Sequence, residues 1–178
     1  MIHINTKTIE RAKQGDKDVI AALYERHYLS VYRYLFYRVG NRQFAEDLTS
    51  EVFERMLRFI SNFQPPSSSF QAWLFQIARN LSTDHFREQG RKPTEVSLEE
   101  NLVDRGLNPV AEMERKLDSE RLLQALDGLT EEQRDVILMR FVAGMPIAET
   151  AQVLRKSEDA IKGLQRRALT TLKKILSP

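Results

Sequence analysis

Cysteine is absent from the 178 residues, which excludes disulfides, zinc–thiolate sites and a thiol redox sensor within this chain. Histidine is nearly absent: His3, His27 and His85 are scattered, and none belongs to a His-Glu-x-x-His pattern. Glu46, Asp47 and Glu51 form an acidic group, but no histidine accompanies them to complete a metal site. The glycine-rich loops that cradle phosphates or dinucleotides are missing, as is the Gly-x-Ser-x-Gly nucleophile turn. Neither catalysis by this chain nor a cofactor or metal is expected. No apolar run approaches the roughly 20 residues of a membrane span. The N-terminal stretch MIHINTKTIERAKQGD lacks the apolar core of a signal peptide. The expectation is a cytoplasmic protein with no membrane insertion. The alternation of period two that marks strands is missing too, and there is no internal repeat.

What is present is unevenly spread. The net charge of +2 hides a division along the chain. Residues 1–89 carry +2, residues 90–114 carry −3 and residues 115–154 carry −2, whereas 155–178 carry +5. A basic C-terminal end can grip a polyanion locally. Of the 15 aromatic residues, 14 lie at or before Phe86, and only Phe141 follows. Two halves of such different chemistry predict two domains.

Both halves carry helical periodicity. Asp16 can cap a long helix with the apolar face Val19, Ile20, Leu23, Tyr24, His27, Tyr28, Val31 and Leu35, and Gly40 suits its end. A second helix from about Arg42 shows Phe44, Leu48, Val52, Phe53, Met56 and Ile60 at the same period. Pro65 and Pro66 interrupt it before a helix that runs from Phe70 to Gly90. The text from Gly90 to about Pro109 has no sustained period and predicts a linker, with a helical turn near Leu98–Leu102. A helix over Val110–Leu126 follows. Thr130 and Gln133 have capping-box spacing, and Gly144 fits the end of the helix they open. Next come a short helix Ile147–Leu154, a three-residue turn, and a basic helix capped by Ser157. Short helix, tight turn and basic helix make a helix-turn-helix, which sets the N-terminal residues of the second helix into a major groove. The fold class is therefore all-α, two helical domains joined by a flexible linker, the C-terminal one a helix-turn-helix.

These stretches resemble the extracytoplasmic-function class of bacterial RNA polymerase sigma factors across nearly the whole chain. The first half matches in LYERHYLSVYRYLFYRVGNRQFAEDLTSEVFERML and FQAWLFQIARNLSTDHFREQGR. The second half matches in ALDGLTEEQRDVILMRFVAGMPIAETAQVL and SEDAIKGLQRRALTTLKK. The resemblance implies a sigma region 2 domain over 1–90 for core-polymerase docking and for recognition and melting of the −10 element, a linker over 91–112, and a region 4 helix-turn-helix domain over 113–178 for the −35 element. It implies core RNA polymerase and promoter DNA as partners. An anti-sigma factor is common in the family, though no residue here identifies one.

By the same resemblance Asp47, Glu51, Glu54 and Arg55 dock on the polymerase clamp; the three acids lie at i, i+4 and i+7, with Phe44, Leu48 and Val52 facing inward. Arg79, Asn80, Ser82, Thr83 and Arg87, with Phe63, are expected on the single-stranded −10 element, where aromatic stacking and polar edge contacts hold unpaired bases. The loop from Phe63 to Phe70 is expected to hold a flipped base. Trp73 has core spacing with Phe70, Leu74 and Ile77 and is expected inside. Arg155, Lys156, Ser157, Glu158, Asp159, Ala160, Lys162, Arg166 and Arg167 are expected on the −35 duplex. Many relatives carry Ser-Arg-Leu after the lysine where this chain has Gly163, Leu164 and Gln165, so base contacts at Leu164 are not expected. The alternative is a helix-turn-helix regulator that binds duplex DNA without polymerase.

Overall fold

The computed structural model describes residues 5–64, 69–88 and 109–177, with side chains in the last span from Asp118 onward. Every regular element among them is helical. Four helices build the first domain: α1 (Thr6–Lys13), α2 (Lys17–Val39), α3 (Arg42–Phe59) and α4 (Phe70–Glu88). Four more build the second: α5 (Pro109–Asp127), α6 (Glu131–Ile137), α7 (Ile147–Leu154) and α8 (Glu158–Leu176).

The boundaries follow the expected chemistry. The Asp16 carboxylate accepts the backbone N–H groups of Asp18 and Val19 and opens α2, and Gly40 closes it in the left-handed region at φ 68°. Thr130 and Gln133 form the full capping box of α6. Helix α7 has the expected bounds, and Pro109 supplies α5 with the first-position proline that helices tolerate. Helix α1 was not foreseen: Asn5 caps it through the Thr8 N–H, and Ile9 and Ala12 are buried. Its period spans too few residues to stand out. The predicted helical turn at Leu98–Leu102, most of the linker, and Pro65 and Pro66 lie outside the described residues.

Packing corrects two further expectations. Phe44 is exposed at the edge of α3, where its ring lies 4.8 Å from His85, so it does not join Leu48 and Val52 inside. Trp73 is only partly buried; it leans on the core at 5.1 Å from Phe63 and 5.7 Å from Phe70.

The two domains share one apolar core. Tyr34, Leu35 and Phe75 of the first belong to the same buried cluster as Leu138, Met139 and Met145 of the second. A smaller cluster, Val136, Ala151, Ile161 and Leu164, fixes α7 and α8 of the helix-turn-helix against α6. Beyond α6 the chain widens into a π-turn over Leu138–Val142, and the Arg140 guanidinium there donates to Gln165 Oε1 at 3.1 Å and to the Met145 carbonyl.

Candidate nucleic-acid interface

Helix α8 divides cleanly. Ile161, Leu164, Ala168 and Leu172 are buried, while Glu158, Asp159, Ala160, Lys162, Arg166 and Arg167 face solvent. The Ser157 hydroxyl caps the helix by accepting the Ala160 N–H at 3.2 Å. Lys162 lies 3.1 Å from Asp159, and both are exposed. In the turn, Arg155 adopts φ 52° and is exposed. Lys156 is held 2.7 Å from Glu132. Leu164 and Gln165 have local reasons: Leu164 fills the core and Gln165 accepts from Arg140, so neither is available to a base.

The acidic row on α3 is also open. Asp47 and Glu54 are exposed, and Glu51 pairs with Arg55 at 2.6 Å. Together with Ser50, Arg58 and Phe59 they line one shallow depression.

On α4 the expected residues separate. Asn80 and Arg87 are exposed; Asn80 Oδ1 accepts from Gln76, and Arg87 lies 3.6 Å from Asp84. Thr83 is half-buried. Two expectations fail on burial. Phe63 is 4% exposed, packed edge-on against Phe70, and offers no free ring to a base. Ser82 is fully buried, and its hydroxyl accepts from Arg38 Nε at 2.6 Å while donating to the Arg79 carbonyl.

Arg79 leads to a cluster that the sequence did not reveal. Its Nε donates to Asp135 Oδ2 at 2.8 Å. Asp135, fully buried on α6, also accepts from Arg38 and, at 3.2 Å, from the Tyr34 hydroxyl. Arg38 Nη2 reaches Thr83 at 3.1 Å and Glu131 at 3.0 Å. Burial alone would draw a proton from Arg38, but Asp135, Tyr34 and Glu131 outweigh it, so the guanidinium is held charged more firmly than usual. Burial, then the neighbouring Asp135 carboxylate, pushes the Tyr34 phenol far up and keeps its hydrogen in place as a donor. A signal did exist: Tyr34 and Arg38 are one turn apart and continue the buried stripe of Val31, where an arginine is out of place.

The Sigma-70 region 2 family matches residues 23–92, and the Sigma-70 region 4 family matches residues 125–174. The ECF RNA polymerase sigma factor SigX of Bacillus subtilis is 34% identical over 89% of this chain and 84% of its own length. The chain belongs to the ECF class of RNA polymerase sigma factors. BldN of Streptomyces coelicolor, another ECF sigma factor, is 43% identical over 94% of this chain, which spans 64% of BldN's length. CnrH, solved in complex with the cytosolic domain of CnrY, matches with TM-score 0.75 over 95% of this chain and 94% of its own at 23% identity, and so shares the fold. For this sigma factor the region 2 match contains the α3 and α4 rows, and the region 4 match contains the α7–α8 pair. Among the described residues no helix is long and apolar enough to cross a membrane, and no group of acidic or histidine side chains could hold a metal.

Proposed function

We propose that this sigma factor is a promoter-specificity subunit that docks on core RNA polymerase through Asp47, Glu51, Glu54 and Arg55. It supplies contacts, and the polymerase supplies the chemistry. Asn80, Thr83, Arg79 and Arg87 serve the −10 single strand. Arg155, Ser157, Glu158, Asp159, Ala160, Lys162, Arg166 and Arg167, with Lys156 behind them, serve the −35 duplex. Phosphate contacts set affinity, and base contacts near the start of α8 set promoter choice. The observation that carries this is the exposure of a docking row and two polar helix faces within one two-domain family frame. A regulator without polymerase would leave the region 2 match and its acidic row without purpose. The work is intracellular, on cytoplasmic DNA. An anti-sigma partner fits the same frame, as CnrH was solved bound to a second protein.

Co-elution with core RNA polymerase tests the docking row. The native chain is expected to travel with core, and the Asp47→Arg, Glu51→Arg variant is expected to run free. Co-elution of both would move the docking surface elsewhere; a native chain that binds duplex DNA but never core would overturn the reading.

A further inference from the structure

The buried cluster at the domain seam has the composition of an anion site. Arg38 and Arg79 converge on one carboxylate from two helices of the first domain. Ser82 and Thr83 orient the Arg38 guanidinium from α4, leaving its remaining N–H groups aimed at α6. What occupies the site is Asp135, with Glu131 one turn before it on the same helix, 3.0 Å from Arg38. A carboxylate held by a pair of guanidinium groups presents two oxygens to a planar fork, as a phosphodiester does.

We propose that Arg38 and Arg79 form one phosphodiester site on the first domain, which Asp135 fills when the domains are together and promoter single strand fills when they part. The proposal rests on the sigma-factor reading above and adds to it a contact residue, Arg38, and a competitor, Asp135.

Three observations converge on it. Arg79 adjoins the exposed Asn80 on α4, and its own side chain is already 27% exposed. Thr83, one turn further along α4, is bonded to the Arg38 guanidinium, so the site runs into the polar row on α4. Finally, the side-chain partners of Asp135 and Glu131 among the described residues, Tyr34, Arg38 and Arg79, all lie on the first domain. The neighbouring Arg134 turns inward instead, donating to the Leu126 carbonyl at 2.9 Å and pairing with Asp127 at 2.7 Å. The two acids face across the seam.

Strand and carboxylate cannot share the site. Binding of single strand must therefore open the chain, and opening must favour the strand by the same factor.

The test uses the full chain and a short labelled oligothymidylate, followed by fluorescence anisotropy, with small-angle scattering to read closure. Asp135→Asn removes the charge and keeps the shape. It is expected to enlarge the radius of gyration and to tighten oligothymidylate binding. Apparent affinity scales with the open fraction, so a chain about nine-tenths closed gains about tenfold. Adding Arg79→Gln to Asp135→Asn should cancel most of that gain and reduce the log–log salt slope by about 0.7, one single-strand phosphate contact. Because Arg38 is fully buried, Arg38→Lys, which keeps the charge but not the fork, replaces a neutral substitution there; with Asp135→Asn it should also lose affinity, with circular dichroism reporting the fold.

Opening without a gain in oligothymidylate affinity would overturn the site, and so would a gain that survives loss of Arg79. An Asp135→Asn chain as compact as the native one would overturn the competitor. Co-elution with core polymerase separates the two levels. A chain that travels with core but shows none of these responses fails this proposal alone, and one that shows them but never binds core fails the sigma-factor reading.

Discussion

Burial keeps the His27 imidazole neutral while the chain is folded. The side chain is 4% exposed, its ring lies 5.5 Å from Phe70, and Nε2 has no hydrogen-bond partner among the described residues. Desolvation first, then the charge of Arg26, lowers its pKa to about 4 from an ordinary 6.5. His27 and Glu149 of α7 line one cavity from the two sides of the seam. Folded and unfolded chains are both neutral here above pH 6.5, so this stability is intact there. Below it the unfolded chain takes up the proton first, and stability falls until the pH reaches about 4. The interval corresponds to roughly 3 kcal/mol. Urea melts of the native chain and of His27→Leu across that range should diverge, the variant losing less on acidification. Parallel curves would mean that His27 is hydrated in the folded chain. Burial of His27 was legible as one position in the apolar stripe of α2, whereas the cavity that it lines together with Glu149 of α7 was not. Periodicity assigns a residue to a face and cannot name what another domain brings to it.

At the scale of the element, α8 shows how local rules and tertiary purpose combine. Its cap and its basic row follow from sequence spacing, and the structure keeps them; its apolar face is buried as far as Leu172, while Ile175 and Leu176, which continue the same spacing, are exposed. The glycine at 163 breaks the local preference. A Cβ added there would meet only the end of the Arg167 side chain at 3.4 Å, so the fold itself makes no demand for glycine. Gly163→Ala should stabilise the domain by about 1 kcal/mol in thermal or denaturant melts. If duplex affinity falls while stability rises, the backbone at 163 approaches DNA closely. On α4 the legible part was the polar row, and the illegible part was which members stay exposed. Ser82 and Asn80 differ little as letters, yet one is fully buried under Arg38 and the other faces solvent. Phe63 misled for a related reason: aromatic type suits stacking on a base and packing in a core equally well, and here the core takes it.

For the molecule as a whole, net charge is a poor guide and its placement a good one. The +5 segment 155–178 sits on the second domain, so duplex affinity of the full chain should fall steeply with salt despite a total of only +2. Arg166→Gln should lower the slope of log affinity against log salt by about 1, with equal loss on unrelated sequences, as expected for a phosphate contact. A sequence-selective loss would make Arg166 a base reader instead. Two helical domains and their order were readable from composition shifts and from motifs. That the halves could fold on each other across the linker was open from the sequence, but the ion pair at their seam was not legible, because Arg38 and Asp135 are 97 residues apart, each looking like a misplaced charge in its own helix. On the readings proposed above, the seam treats the two helix faces unequally: the polar row of α8 stays in solvent, while Arg79 pairs with Asp135. That inequality would impose an order in time. A closed chain would meet duplex before it could hold an unpaired strand, so promoter engagement would begin at the upstream element, and melted DNA would be held only after the domains had separated.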